Sequence, residues 1–210
     1  MSGHLFDKYG AILQEDVEVL ESCLTIVAAA CKAQGRFARI CEIGMHDGNT
    51  ARGIENFFKA LGLSMTYWGI DPLTAAVNQR PRYIPANGLE VIGDSAEVFN
   101  QIPDGLDLVW VDGCHCRNHV VLDTINFESK VRPGGFICYH DINPAGQGRL
   151  EEHQYHGPNI PEFALAVNQA LDLIRFPWGT WQFFAEKYPQ PAEFPFDCGT
   201  RAFRKDPCPM

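Results

Sequence analysis

The segment "FARICEIGMHDGNT", residues 37–50, decides the fold. It opens with a short apolar run of strand length, and Gly44 closes that run. The following segment, "NTARGIENFFKALG" (49–62), has helical patterning, with Asn49 as the predicted N-cap and Gly62 as the predicted end. A strand, a glycine turn and a helix in succession form the first half of a β–α–β unit, which predicts a parallel sheet.

The alternation of strands and helices continues along the chain as far as Asp141. Further strands are predicted at "MTYWGID" (65–71), "LEVIGD" (89–94), "LDLVWVDG" (106–113) and "GFICYHD" (135–141). Helices are predicted at "SAEVFNQI" (95–102) and "RNHVVLDTINFESKV" (117–131), the second ended by "RPGG" (132–135). Because the strand runs are nearly all apolar, we expect a sheet that is covered on both faces.

The two ends of the chain complete the predicted architecture. Apolar residues recur at helical spacing over residues 5–33, and a further helix is predicted over residues 161–176. Two strand-like runs, "TWQFFAEKY" (180–188) and "GTRAFRK" (199–205), predict a closing antiparallel hairpin. The expected fold is therefore α/β, with a doubly wound, mostly parallel seven-stranded sheet of Rossmann-like type. We expect one domain over residues 1–210, in which residues 1–35 form an N-terminal helical cap and residues 36–210 form the core.

Composition and charge limit the class of partner. The chain carries 17 Lys and Arg against 26 Asp and Glu, and this net charge of −9 argues against a nucleic-acid partner. Paired arginines such as Arg80 and Arg82 are interpreted as framing a turn. The N-terminus lacks the pattern of a signal peptide, and the apolar run "CLTIVAAAC" is too short to cross a membrane. We therefore expect a cytoplasmic protein with reduced thiols that acts on a small molecule.

Polar residues follow the ends of the predicted strands, where open α/β sheets bind ligands. Glu42 is followed by Gly44 and Gly48, and this is not the G-x-G-x-x-G spacing that receives a pyrophosphate. Asp71 ends the second strand, where it can accept hydrogen bonds from two ribose hydroxyls. The turn "GDS" (93–95) ends the third and can meet an adenine edge. The pattern favours a ligand that has a ribose but no phosphate.

Taken in order at the strand ends, these residues resemble the class I S-adenosylmethionine-dependent methyltransferases. The resemblance runs from about Phe37 to Asp141 and reaches the tail through the closing hairpin. It implies S-adenosylmethionine as the cofactor. The contacts that it implies are at Glu42, Gly44, Gly48, Asp71, Asp94, Ser95 and Asp112.

The stretch "WVDGCHCRNHV", residues 110–120, first suggests a zinc site. The spacing of its Cys and His residues does not fit a structural zinc site, since no second ligand pair follows. The pattern DG-x-H, R-P-G-G and HD instead resembles a methyltransferase branch that includes metal-dependent macrolide-sugar O-methyltransferases and cephalosporin-hydroxylase-like proteins. That resemblance implies that Asp112 is a metal ligand, that His115 is the general base, and that His140 and Asp141 occupy the positions of an acidic pair.

One residue departs from the pattern of that branch. His140 stands where a carboxylate is expected, and Mg²⁺ prefers oxygen ligands. The metal site, assigned to Asp112, His140 and Asp141, is therefore expected to bind Mg²⁺ more weakly, to take Mn²⁺ or another transition ion, or to be empty. Adjacent residues of a strand point to opposite faces, so His140 and Asp141 can share an ion only if the strand has already ended at His140.

The expected activity is O-methylation of a small-molecule hydroxyl, on a sugar, a phenol or a natural product. In this reaction His115 takes the hydroxyl proton, and Asp112 and Asp141 complete the catalytic set. Two alternatives stay open: a non-catalytic cofactor-binding protein, and a nicotinamide-dependent oxidoreductase. The loops over residues 142–161 and 188–199 are expected to cover the pocket. The N-terminal helix is expected either to close the pocket or to mediate a homo-oligomer.

Overall fold

The structure, a computed structural model, describes residues 14–72, 81–115, 117–142, 170–171, 174, 181–187 and 199–207. The strands are β1 (Ala38–Ile43), β2 (Met65–Asp71), β3 (Gly88–Ile92), β4 (Leu106–Val111), β5 (Val131–Tyr139), β6 (Trp181–Lys187) and β7 (Thr200–Lys205). The helices are α1 (Gln14–Gln34), α2 (Asn49–Ala60), α3 (Ser95–Val98) and α4 (Arg117–Glu128), with a 3₁₀ turn at Phe99–Gln101.

The seven strands form one sheet in the order β3–β2–β1–β4–β5–β7–β6. Strands β1 to β5 pair in parallel, and β7 is antiparallel to both of its neighbours, β5 and β6. This arrangement confirms the predicted doubly wound sheet with its closing antiparallel hairpin. The strand order reverses between β1 and β4, which is where such sheets bind ligands.

Both faces of the sheet are covered by helices. Leu24 of α1 and Ile54 of α2 pack with Trp110 of β4 in the core on one face. Phe127 of α4 packs with Ile137 of β5 in the core on the other face. This double burial explains the continuous apolar strand runs. In the described part of the chain, no helix has the length and apolar character that crossing a bilayer requires.

Helix α1 lies on a face of the sheet. Its residues from Val17 to Cys31 contribute eight buried apolar or thiol side chains to the first core, together with residues of β4, β5 and β7. The described part of the N-terminal segment is therefore built into the core of the fold. Residues 1–13 lie outside the described part of the chain.

The start of α2 differs from its prediction. The N-cap is Gly48, with φ +79°, and the helix begins at Asn49, which had been predicted as the cap. Gly48 adopts the left-handed conformation that glycine tolerates best. The Asp47 carboxylate accepts a hydrogen bond from the Asn49 N–H (3.2 Å), so it performs the task of a capping side chain.

The start of β5 also differs from its prediction. "RPGG" (132–135) was expected to end the preceding helix, but α4 ends at Glu128 and β5 already begins at Val131. Val131 pairs with Leu106, and the register then shifts before Leu108 pairs with Phe136. The four residues therefore form an irregularity inside the strand, and a glycine is the residue type that a bulge tolerates best.

Several predictions from the sequence fall where the structure gives no description. The predicted helix over residues 161–176 is described only at Ala170 and Leu171, which are helical and buried, and at Ile174. The two loops that were expected to cover the pocket lie outside the described residues, except for Ile142 and Gly199 at their ends.

Gly44 provides a direct test of how the sheet edge is built. A Cβ atom on Gly44 would lie 2.1 Å from the backbone oxygen of Asp112, and the residue has φ +88°. Gly44→Ala is therefore expected to lower the free energy of unfolding by about 3 kcal/mol, measured by urea denaturation. Gly62→Ala is the matched control, because Gly62 has φ +67° with open space around it. It should cost only about 1 kcal/mol. Equal losses of unfolding free energy in the two variants would show that the contact between Gly44 and Asp112 contributes nothing to stability.

Candidate functional site

Backbone hydrogen bonds fix the residues that follow the strands at the carboxyl edge. The Gly44 N–H donates to β2 (2.8 Å), the Asp112 N–H to β1 (2.9 Å) and the His140 N–H to β4 (3.0 Å). The ladder thus continues one residue beyond each of the three strands. The side chains at these positions are held by the sheet itself, which gives a site precise geometry.

Glu42 lies beneath the glycine turn and is buried. The Tyr67 hydroxyl donates a hydrogen bond to its carboxyl group. Burial raises the pKa of Glu42 to about 8, although hydrogen bonds from Tyr67 and Thr50 act in the opposite direction. The predicted cofactor contact at Glu42 thus falls on a carboxyl group whose burial favours the protonated form.

Asp71, the predicted ribose-binding residue, lies at the end of β2 with both carboxylate oxygens in use. Its Oδ2 accepts a hydrogen bond from the His46 N–H (2.9 Å), and its Oδ1 lies 3.2 Å from a guanidinium nitrogen of Arg82. An oxygen of a carboxylate can accept more than one hydrogen bond, so these contacts still allow a ribose hydroxyl to bind. They also fix the orientation of the carboxylate.

Arg82 is a site residue that the sequence reading missed. Its side chain is 1% exposed, it also pairs with Glu90 of β3, and its Nε donates to the His46 carbonyl (2.6 Å). One guanidinium thus joins the glycine turn, the end of β2 and the edge strand β3. The sequence contained one indication of this contact, namely Glu90. A charged residue inside an otherwise apolar strand needs a buried partner of opposite charge.

The residues after β3 are placed at the start of α3. Asp94 caps this helix by accepting from the Ala96 N–H (2.9 Å), and its other oxygen lies 3.3 Å from Nε2 of His119. The Ser95 hydroxyl points inward and donates to the buried Asp123 (2.5 Å). An adenine could therefore meet Asp94 through its carboxylate, but Ser95 only through its backbone.

Asp112, His115, His140 and Asp141 come together in one group, which we call the Asp–His cluster. His140 Nδ1 lies 3.0 Å from Asp112 Oδ1 and 3.4 Å from Asp141 Oδ1. His115 approaches Asp112 through Nε2 (3.6 Å) and Asp141 through Nδ1 (3.4 Å). All four side chains are 11–23% exposed, so the cluster is half-buried and reachable from solvent.

The backbone after β5 allows His140 and Asp141 to face the same site. The strand ends at Tyr139, and Asp141 adopts φ +54°, a left-handed conformation that is uncommon outside glycine, asparagine and aspartate. Adjacent side chains of a regular strand would point to opposite faces. The turn at Asp141 therefore meets the geometric condition that a shared ion imposes.

The electrostatics of the cluster favour the ionised form of Asp112. Burial opposes ionisation of Asp112, but His140 and His115 outweigh it and hold the Asp112 pKa below its usual range. Asp112, His115 and Asp141 each offer one ligand atom within 4.8 Å of the others. These carboxylate and imidazole donors fit a divalent cation.

Comparison with known proteins supports the interpretation of the fold. Residues 41–142 match a protein-family model described as "Methyltransferase domain". This match covers the glycine turn, Asp71 and the whole Asp–His cluster. No curated protein matches the chain.

Three solved structures are similar to this chain. An O-methyltransferase from Bacillus cereus, in complex with SAH, has a TM-score of 0.56 and 14% identity, with 98% of this chain and 92% of that chain covered. The MycE methyltransferase of the mycinamycin biosynthetic pathway, in complex with Mg and SAH, has a TM-score of 0.62 and 15% identity, with coverages of 96% and 53%. The O-methyltransferase TomG from Streptomyces achromogenes, in complex with SAM, has a TM-score of 0.54 and 12% identity, with coverages of 98% and 91%.

These likenesses confirm the methyltransferase-like fold that the sequence indicated. At 12–15% identity they establish the fold of this chain. The chain spans about half the length of MycE.

The Arg82 contacts can be tested by stability measurements. Arg82→Met leaves Asp71 and Glu90 without their buried cation, so we expect the free energy of unfolding to fall by about 3 kcal/mol. Arg201→Met, which removes a more exposed pair with Glu186, is the control and should cost less than about 1 kcal/mol. The free energies of unfolding of both variants are measured by chemical denaturation and compared with that of the wild-type protein. A loss for Arg82→Met as small as that of the control would contradict a buried role.

The buried carboxyl groups predict how stability depends on pH. Burial raises the pKa of Glu42 to about 8 and that of Asp123 to about 7, both above their ordinary values of 4.5 and 3.8. The unfolded chain loses these protons first as pH rises. Each group therefore lowers the free energy of unfolding as pH rises, by up to about 1.4 kcal/mol per pH unit between its unfolded and folded pKa.

Glu42→Gln should remove the contribution of Glu42 and make the stability profile flatter between pH 5 and 8. Denaturation at several pH values measures the slope. Glu97→Gln, at an exposed position in α3, is the control that should leave the slope unchanged. An unchanged slope in Glu42→Gln would mean that Glu42 is ionised in the folded protein.

Proposed function

We propose that this protein is an S-adenosylmethionine-dependent methyltransferase that methylates a hydroxyl group of a small molecule. The observation that carries the proposal is the Asp–His cluster, which lies at the strand-order reversal and touches the glycine turn through the contact between Gly44 and Asp112. A base and a cofactor crevice placed side by side are what methyl transfer to an oxygen requires.

The residues of the crevice fit a nucleoside that carries a sulfonium group. Asp71 offers a fixed carboxylate toward a ribose, and Asp94 offers one toward an adenine edge. The glycine turn leaves no side chain at position 44, so a ligand can approach its backbone closely. The cofactor, when bound, supplies an activated methyl group.

The same turn disfavours the alternative of a nicotinamide dinucleotide. A pyrophosphate binds where the N-terminal N–H groups of a helix are open to an anion. At the start of α2 the Asp47 carboxylate already accepts the first N–H and also a hydrogen bond from the Asn49 side chain (2.9 Å). A second anion at this position would be repelled.

His115 is the proposed general base. Its two ring nitrogens face Asp112 and Asp141 at 3.6 and 3.4 Å, so a proton taken from the acceptor would be stabilised by a carboxylate on either side. An imidazole is suited to this task near neutral pH. The acceptor hydroxyl would bind between His115 and the cofactor methyl group, in line for displacement.

The two carboxylates of the cluster, with one of its histidines, would hold a divalent cation. Such an ion, when bound, lowers the pKa of a coordinated hydroxyl. Asp112 and Asp141 also orient His115, and that role needs no ion. Asp112 and Asp141 would thus contribute in two separate ways, by orienting His115 and by supplying negative charge to an ion.

The proposal is tested by cofactor binding and by methyl transfer. Calorimetry should detect SAH binding, and release of SAH from S-adenosylmethionine should be observed with one or more acceptors from a panel of sugars, phenols and hydroxylated natural products. His115→Gln should lower kcat by at least about 100-fold, because it removes the base. It should leave the affinity for SAH within about twofold, because His115 lies outside the proposed cofactor contacts.

Asp71→Asn is the matched variant for the cofactor side. It should weaken SAH binding by about tenfold or more, since hydrogen bonds to a charged group are lost. Absence of SAH binding by the wild-type protein would overturn the proposal. Binding without turnover on any acceptor in the panel would favour the non-catalytic cofactor-binding protein.

A further inference from the structure

The Asp–His cluster contains two imidazoles and two carboxylates, and the imidazoles are oriented differently. His140 directs one atom, Nδ1, at both carboxylates, at 3.0 and 3.4 Å. His115 instead directs a different nitrogen at each carboxylate. An ion shared with Asp112 and Asp141 must be approached by a single nitrogen of a ring. His140 Nδ1 lies at hydrogen-bond distance from both carboxylates, and one ring nitrogen of His115 also lies within 4.8 Å of an oxygen of each. Both rings are therefore within reach of such an ion, and the choice between them depends on how firmly each ring is held.

The position of His140 is fixed from two sides. Its backbone N–H is bonded to β4 (3.0 Å), and its ring lies against Trp110, with the ring centroids 5.6 Å apart. A ligand held this rigidly pays little entropy when it binds an ion. Ligation through Nδ1 requires the tautomer that carries its proton on Nε2.

The identity of the donors determines which ions are accepted. Mg²⁺ takes oxygen ligands and rarely accepts an imidazole, whereas Mn²⁺, Co²⁺, Ni²⁺ and Zn²⁺ bind mixed nitrogen and oxygen sets well. Two carboxylates supply two negative charges, which balance a divalent ion. The donor set of this cluster therefore favours a first-row transition ion.

We propose that the Asp–His cluster binds a first-row transition-metal ion in preference to Mg²⁺, and that His140 is the ligand that sets this preference. This inference deepens the proposed function, because it names the ion class of the same site. His140 then ligates through Nδ1 together with Asp112 and Asp141, and His115 remains available as the base.

The preference is measured by calorimetry on the chelator-treated full-length protein, titrated separately with CoCl₂ and MgCl₂. The wild-type protein should bind Co²⁺ at least about 100-fold more tightly than Mg²⁺. The visible absorption of bound Co²⁺ gives a second readout that reports its ligands. Equal affinities for the two ions, or no binding of Co²⁺, would overturn the inference.

Variants at position 140 test the role of this ligand. His140→Glu restores a carboxylate, so the ratio of the Co²⁺ and Mg²⁺ affinities should fall by about tenfold or more. His140→Gln keeps the approximate size without either donor type and should weaken Co²⁺ binding without strengthening Mg²⁺ binding. An unchanged ratio in His140→Glu would overturn the assignment. Circular dichroism establishes whether each variant is folded. If His140→Glu is unfolded, the Co²⁺ and Mg²⁺ affinities of His140→Gln test the assignment of His140 as the ligand.

Two further variants distinguish His140 from other histidines as the metal ligand. His115→Gln should retain Co²⁺ affinity better than His140→Gln does, and the opposite order would assign the ligand to His115 and overturn the proposal. His46→Gln removes an exposed imidazole outside the cluster and should leave Co²⁺ binding unchanged. SAH binding, measured on the same wild-type sample without metal, distinguishes a failure of this inference from a failure of the proposed function.

Discussion

The contact between the glycine turn and the end of β4 is the constraint on which the site depends. The Gly44 backbone lies so close to the Asp112 carbonyl that no side chain fits between them. This contact places the predicted cofactor crevice, which follows β1, directly beside the cluster that follows β4 and β5. Backbone packing therefore fixes the predicted cofactor crevice relative to the backbone that carries the Asp–His cluster.

Acidic side chains accumulate along this edge of the sheet, and each of the following has a basic or hydroxyl partner. The pairs are Glu42 with Tyr67, Asp71 with Arg82, Asp94 with His119, and Asp112 with His140. Carboxylates that shared one region without such partners would repel one another and retain protons. Burial raises the pKa of Glu42, whereas the neighbouring histidines lower the pKa of Asp112, so the carboxyl groups of this edge differ in their tendency to ionise.

The strands could be predicted from the sequence because burial on both faces leaves a continuous apolar run, and β2 matches its predicted bounds of 65–71. The start of β5 could not, because a bulge hides strand residues inside a segment that reads as a turn. The role of Arg82 was missed for a different reason, since its partners come from three separate elements. The four cluster residues were predicted from the sequence. Their convergence, however, depends on the positive φ angle at Asp141, and no local sequence pattern specifies that angle.

His140, at a position where the resemblance predicts a carboxylate, changes what the cluster requires of an ion. Three clustered carboxylates would repel one another strongly until a cation arrived. In this chain the imidazole at position 140 hydrogen-bonds to Asp112 at 3.0 Å, so the cluster has internal attraction before any ion binds. The geometry of the site is therefore maintained by the protein alone. An ion that entered the cluster would exchange this hydrogen bond for coordination by the same ring nitrogen.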